Sequence, residues 1–406
     1  MNKNRLPILE WSIPLTYILA QYYFPGTTLP FGMVITFVIL LLYFLMHTQN
    51  RFYLNKSFAF LFCFMVVHDC LRVIYSPLAI GQMIVYSLIT ILIFMSTGNI
   101  DEDKLYRAWS ILGGFAIFGI AYQALQVYIF RSPVSMINLF PFLGTATEKA
   151  TALSFRPCSF FLEPASYCSW ITPLLYMALK RKSTVFAIIV SVSLLLSTSA
   201  IGMLMLFVCW GYTLVFQSGG MNKGIKVIGG AFIIITFIYA ILNLGVFSSS
   251  LGRLYQLQEE LMYGGGSSYR RLIAGYKIYG ELPILSKLFG IPYQTIQQLL
   301  LSGTIDYRQY YISTTSMDFG YVNTISRCLI MYGAFGFMIF AYFILMLWKD
   351  ANRENRELLI LLIISMFTQS TYFNSIFLLQ FSFYLGIMNV KSCVPISVKT
   401  KTSYIV

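Results

Sequence analysis

The chain has 406 residues, of which 58% are hydrophobic and 17% aromatic, and only 11% carry a charge. A soluble domain carries roughly 25% charged residues, so a soluble enzyme and a disordered chain are both excluded and lipid is the expected solvent. The formal net charge of +13 needs no nucleic acid as partner: short basic loops facing anionic lipid account for much of it, and the sequence has neither an Arg-rich tail nor zinc-finger spacing.

A helix that crosses a bilayer needs roughly 20 mostly apolar residues. Taken in chain order, the candidate spans run 7–24, 29–46, 57–75, 78–96, 108–130, 165–179, 183–199, 200–216, 225–243, 322–347, 358–372 and 375–390. That is about twelve spans, with eleven or thirteen left open by the short helices and tight turn within 165–216. The segments are continuous apolar runs without strand alternation, so a helical bundle is expected rather than a closed barrel. The fold class is an all-α polytopic membrane protein, a single transmembrane domain over 1–406. The basic start Met1–Arg5 leads into Glu10, Pro14 and Gln21 without a small-residue cleavage site, and is read as a retained first helix rather than a signal peptide.

Basic residues orient the spans. With the amino terminus inside, Lys3, Arg5, Arg51, Lys56, Lys104, Arg107, Lys180, Arg181, Lys182, Lys223, Lys226, Lys349, Arg353, Arg356, Lys391, Lys399 and Lys401 all fall on the cytoplasmic side, the majority of the 28 Lys and Arg. Both termini are therefore expected inside, with a short, unstructured cytoplasmic tail over 391–406.

Seven cysteines and two histidines, His47 and His68, are scattered without a CxxC pair or ligand cluster. They read as packing residues, and neither a metal nor another cofactor is expected.

Two outer segments, 131–164 and 244–321, are too long for turns. In the first, Pro164 suits the first position of a helix and puts Glu163 at its amino-terminal cap, where the helix dipole favours a carboxylate. Arg156 lies seven residues earlier on an aromatic stretch. A capped helix with a snorkelling arginine competes with a functional pair. The second segment is expected to carry short helices at the membrane surface, near Tyr269–Tyr279 and Tyr293–Leu301. It contains Gly264-Gly265-Gly266-Ser267-Ser268-Tyr269-Arg270-Arg271. Ser267 or Ser268 can cap a helix. Two arginines in its first turn then suit a bound phosphate, with Arg253 upstream as a third cation. Solvated, headgroup-binding arginines are the alternative.

Charges within spans are expensive. Asp69 and Arg72, three apart, are expected to pair, with His68 pointing elsewhere. Arg327 sits one turn below Asn323 near an outer helix end. Glu10 has no evident partner in the sequence. Ser197-Thr198-Ser199 with Gly202 marks a tight outer turn, whose small residues allow close helix contact.

Taken together, the Arg156 to Glu163-Pro164 run, the Ser197–Ser199 turn, the large loop with Arg270 and Arg271, and Tyr321-Val322-Asn323 opening a span with Gly333-Ala334-Phe335-Gly336 resemble the O-antigen polymerase (Wzy-type) group. That group belongs to the O-antigen polymerase and ligase superfamily, and topology carries much of the likeness. The resemblance implies a GT-C-like, metal-independent glycosyltransferase in a bacterial inner membrane, with its active site on the periplasmic side. It would move a growing glycan from undecaprenyl diphosphate onto a new lipid-linked repeat unit, with a separate chain-length regulator as partner. Its implied roles are charge stabilisation by Arg270, Arg271, Arg253 or Arg156, and a base at Glu163 or else Asp318. Sugar stacking falls to Tyr269, Tyr310 and Tyr311, with Asn323 and Arg327 also in the site. Ligases of this superfamily are associated with a histidine in the large loop, and this chain has none after His68. The alternatives are an O-antigen ligase and a repeat-unit flippase.

Overall fold

The computed structural model describes residues 8–25, 31–46, 52–73, 100–145, 153–214, 259, 269–291, 322–352, 355–368 and 393–396. These are mostly helical. The helices are α1 (Ile8–Leu19), α2 (Phe31–Met46), α3 (Lys56–Val73), α4 (Glu102–Ala124), α5 (Pro164–Lys180), α6 (Thr184–Leu196), α7 (Ala200–Tyr212), α8 (Gly275–Glu281), α9 (Ile284–Phe289), α10 (Thr324–Asp350) and α11 (Arg356–Thr368). The expected spans 78–96, 225–243 and 375–390 lie outside the described residues.

Two of these helices are long and apolar enough to cross a membrane: α4 with its π-helical continuation to Ile129, and α10. Each is about 40 Å long at ~1.5 Å per residue, more than the ~30 Å of a hydrocarbon core.

α5 is the axle of the bundle. Every residue from Tyr167 to Leu179 is buried, as expected of a helix that is apolar all round. It packs against α4, α6, α7 and α11, and Trp170 reaches α1, donating from Nε1 to the Pro14 carbonyl at 3.0 Å. Close approach depends on glycine at two points. A Cβ on Gly113 of α4 would lie 2.4 Å from Leu174 Cδ2, and one on Gly202 of α7 would lie 2.4 Å from Cys168 Sγ.

The outward faces are apolar. Ile111, Phe115, Phe118, Tyr122, Leu125 and Ile129 form one exposed stripe at helical spacing along α4, and Val185, Ile188, Ile189 and Val192 form another on α6. Inside, polar side chains pair with one another: Thr36 Oγ1 donates to Thr16 Oγ1 at 2.7 Å, and Tyr167 to Ser193 Oγ at 2.5 Å. The interior is a mainly apolar core with a few paired polar groups, and the apolar stripes outside it are compatible with a lipid solvent.

Contacts sort the chain into two ends, called outer and inner here after the charge-based assignment. At the outer end β1 (Tyr22–Tyr23) pairs antiparallel with β3 (Gly144–Thr145). At the inner end β2 (Phe52–Asn55) pairs with β4 (Cys393–Ile396), so part of the tail expected to be unstructured is a strand. Glu10, which had no evident partner in the sequence, is fully buried and accepts the Asp101 backbone N–H at 2.9 Å. Asp101 in turn caps α4, accepting from Asp103 N and Lys104 N. Lys180 and Arg181, at the end of α5, pair with Glu102 and Asp103 in the first turn of α4. Each charge sits at the helix end whose dipole favours it.

Between α4 and α5 the chain leaves the helix inside the bundle. Two buried glutamines hold it there. Gln123 Oε1 accepts from Cys158 N and Ser159 N, both at 2.7 Å, while its Nε2 donates to Ser135 O at 2.8 Å and Ser159 O at 3.3 Å. Gln21 Oε1 accepts from Leu162 N at 2.6 Å and its Nε2 donates to Phe160 O at 3.4 Å. Beneath the rest of this segment, Tyr22, Met136, Leu143 and Cys158 form a small separate core.

Gln123→Leu leaves several buried backbone groups unpaired, at about 1–3 kcal/mol for each. The thermal unfolding midpoint of the detergent-solubilised protein is expected to fall clearly. Gln126→Leu removes an exposed amide bonded to the Tyr122 hydroxyl and should shift stability by no more than about 0.5 kcal/mol. An unchanged midpoint in Gln123→Leu would show that the clamp contributes nothing.

Candidate functional site

The segment held by Gln21 and Gln123 carries Arg156 and Glu163, and the fold brings it against the Ser197–Ser199 turn. Arg156 Nη2 donates to the Thr198 carbonyl at 3.1 Å and its Nε reaches Thr198 Oγ1 at 3.5 Å. Two runs that are far apart in sequence therefore meet at the outer end. Thr198 has φ 51 and Ser159 φ 56, in the left-handed region that non-glycine residues seldom occupy. Arg131, at φ 54, follows the π-helical turn Leu125–Ile129. Such backbone persists only where surrounding contacts fix it, and here the glutamine clamp and the Arg156 bonds do so.

Part of the role of Arg156 is plainly structural. α6 ends at Leu196, and its last carbonyls need donors. Tyr128 supplies one, from its hydroxyl to Leu196 O at 3.0 Å, and Arg156 caps the turn just beyond. A cation is favoured at that negative end of the helix.

Glu163 occupies the N-cap position of α5 with extended backbone (φ −143, ψ 149), but its side chain makes no capping hydrogen bond. The expected capping carboxylate is thus a cap in backbone only. Arg156 and Glu163 both act on the Cys158 thiol between them. Burial pushes that thiol up to about 12; the Arg156 guanidinium and the hydrogen bond with Gln123 pull it down, and the Glu163 carboxylate adds to the rise. A neutral thiol is a weak nucleophile, so Cys158 is a packing residue beside the charged pair.

The other expected site residues are more dispersed. Asn323 is buried and is the N-cap of α10, its side chain accepting from Ser326 N at 2.8 Å. Tyr276 of α8 donates to the same Oδ1 at 3.5 Å, which ties the large outer segment to α10. Arg327 lies one turn on, half-buried. Tyr269 is only 2% exposed, with the Lys277 ammonium 5.3 Å from its ring centre. Its ring is packed inside, and the sugar-stacking role expected of it has no open ring face here. Arg270 and Arg271 open a single π-helical turn, Arg270–Ala274, rather than the first turn of an α-helix, and Tyr269 before them already has helical dihedrals. Arg253, Asp318, Tyr310, Tyr311 and the side chains of Asp69, Arg72, Arg270 and Arg271 lie outside the described residues. Among the described residues, no three His, Cys, Asp or Glu side chains gather closely enough to hold a metal ion.

Sequence reasoning missed Gln21, Gln123 and Tyr128. The glutamines carried a usable signal, since each is a lone carboxamide within or at the end of an apolar run, where an unpaired polar group is costly. No family model matches this chain, and no curated protein matches it.

The raised Cys158 thiol gives a pH test of how closed this segment is. The thiol stays protonated and buried between pH 7 and 9, so a polar maleimide should leave it unmodified in the folded protein and label it after unfolding. Mass spectrometry of the labelled peptide reads the outcome. Rapid labelling at pH 8 without unfolding would show that 153–163 opens to water.

Proposed function

We propose that this protein is a polytopic inner-membrane glycosyltransferase that polymerises lipid-linked oligosaccharide repeat units at the outer face of a bacterial membrane. The single observation that carries this reading is Arg156 docked on Thr198 at the end of α6, carried by the same glutamine-held segment that ends at Glu163. The apolar outward stripes support the membrane setting, and the distribution of Lys and Arg along the sequence supports a topology of about twelve spans with both termini inside. The likeness of the sequence to O-antigen polymerases supplies the substrate class.

In this reading the acceptor hydroxyl oxygen attacks the anomeric carbon of the glycan carried on undecaprenyl diphosphate. The bond from that carbon to the phosphate oxygen breaks, and the diphosphate leaves with the electron pair. Glu163 takes the hydroxyl proton, a role that Asp318 would fill if Glu163 serves only to orient. Arginine guanidinium groups meet the growing negative charge, as fixed dipoles and cations do in electrostatic catalysis generally. Arg156 is the described candidate, and Arg270, Arg271 and Arg253 are assigned to the diphosphate from the sequence. Asn323 and Arg327 lie where α10 meets the large outer segment and would border the glycan path. A chain-length regulator would act as a separate partner.

A strain lacking the gene should display surface lipid bearing one repeat unit, and a normal ladder of chain lengths on a gel would overturn the proposal. Long polymer retained on the carrier lipid would indicate a ligase instead, and repeat units trapped inside would indicate a flippase. In complementation, Glu163→Gln is expected to lower polymerisation on the order of 100-fold or more. The double variant Arg270→Ala/Arg271→Ala should cost a similar factor, each with membrane expression preserved on immunoblot. Full chain length in the double variant would remove the loop arginines from the site.

A further inference from the structure

The helix α9 belongs to the segment expected to lie outside the membrane, yet its contacts lie deep in the bundle. Gly290 (φ 81) and Gly333 (φ 67) adjoin each other's chains: a Cβ on Gly290 would fall 2.1 Å from the Met331 carbonyl oxygen, and one on Gly333 2.3 Å from that of Leu288. Gly333 is a non-helical break within α10, and Ile291 N donates to Ile330 O at 2.9 Å beside it.

Two helices measure the depth of this junction. Gly333 lies about 14 Å along α10 from its outer start at Thr324, at ~1.5 Å per residue. On the opposite side, His68 Nε2 lies 2.6 Å from the Phe289 carbonyl oxygen, and His68 is about 18 Å along α3 from its inner start at Lys56. Both distances fall within a hydrocarbon core of ~30 Å.

Leading into this junction, α9 turns its apolar side chains outward. Ile284 is 75% exposed and Leu285 72%. The Phe289 ring lies 5.3 Å from that of Phe335, which starts an outward stripe continued down α10 by Met338, Tyr342 and Leu345. The end of α9 is closed by protein groups. Ser286 O accepts from Gly290 N at 2.8 Å, Lys287 O from the Tyr279 hydroxyl at 2.9 Å, and Leu288 O rests on Gly333, while His68 meets Phe289 O. In water such terminal carbonyls can turn to solvent as well as to protein groups; in hydrocarbon they must find partners within the protein.

We propose that α9 is a re-entrant helix whose Ile284, Leu285 and Phe289 face binds phospholipid acyl chains in the outer leaflet, continuous with the lipid-facing stripe of α10. The contact is with bulk lipid and stands apart from any glycan chemistry. It also fixes the neighbouring turn Arg270–Ala274 close to the membrane surface, because α8, which follows that turn directly, packs on α10 through Gly275 and Ser326.

The test uses the full chain in phosphatidylethanolamine and phosphatidylglycerol liposomes, with Cys63, Cys70 and Cys393 replaced by alanine and the buried cysteines retained. A nitroxide is placed at Leu285→Cys, or at Ile284→Cys if the first variant does not assemble. Power saturation should show collisions with oxygen exceeding those with a water-soluble nickel chelate several-fold, and the reverse at the exposed Glu281→Cys. Nickel access at 284 or 285 equal to or above oxygen access would overturn the proposal.

Discussion

Inside this bundle a backbone group has no water to turn to, and the passage between α4 and α5 is where that constraint is most severe. The chain there is non-helical over several buried residues, and each unpaired N–H or carbonyl would cost energy of the order that stabilises a whole turn of helix. The Gln123 carboxamide meets much of the demand, accepting from two successive N–H groups and donating to two carbonyls. A carboxamide can do this because it has both a two-lone-pair oxygen and two N–H donors. Gln21 repeats the arrangement three residues further on. With the segment held from both sides, Ser159 can keep a left-handed backbone, and Arg156 is delivered to the end of α6.

The same need accounts for features elsewhere that differ in residue type. At the inner end a buried carboxylate, Glu10, accepts the N–H of Asp101. At the α9 junction a histidine and a tyrosine close helix carbonyls. At the α6 end a tyrosine and an arginine do so. In each place a helix stops within the protein, and a polar side chain from a neighbouring helix or from the segment between α4 and α5 takes the part that solvent would otherwise take. Glu10, Gln21, Gln123 and His68, which look misplaced in an apolar sequence, are thus tied to helix breaks. Since such breaks are where backbone and side chains can line a cavity, they also mark where chemistry can be housed.

Much of the helical frame was legible in the sequence, because long continuous apolar runs without strand alternation favour helices. α2 and α3 begin within two residues of the expected spans, Pro164 does open α5, and Asn323 does open α10. The partners of single polar residues were not legible. Glu10 and Asp101 are 91 residues apart and Arg156 and Thr198 are 42 apart, and no local periodicity reports on contacts at that range. The π-helical turn at Arg270 also escaped, since one extra residue per turn leaves no compositional trace. The close approach of Gly290 to Met331 and of Gly333 to Leu288 was equally invisible, since each contact joins residues about 40 apart.

In the proposed function Arg156 joins a structural and a chemical role in one side chain. Bonds to Thr198 hold the guanidinium at a helix end, and a cation fixed in advance needs little reorganisation when negative charge appears beside it. The left-handed Thr198 presents its carbonyl to that cation, and the buried Ser197 and Ser199 on either side bring the turn close to α5, where Ser197 Oγ lies 3.1 Å from Cys168 Sγ. Replacing Arg156 by lysine would keep the charge but lose the planar fork that can bond the Thr198 carbonyl while presenting other N–H groups elsewhere. The geometry therefore asks for arginine specifically: Nη2 and Nε reach the Thr198 carbonyl and hydroxyl together, and a lysine ammonium has no such fork.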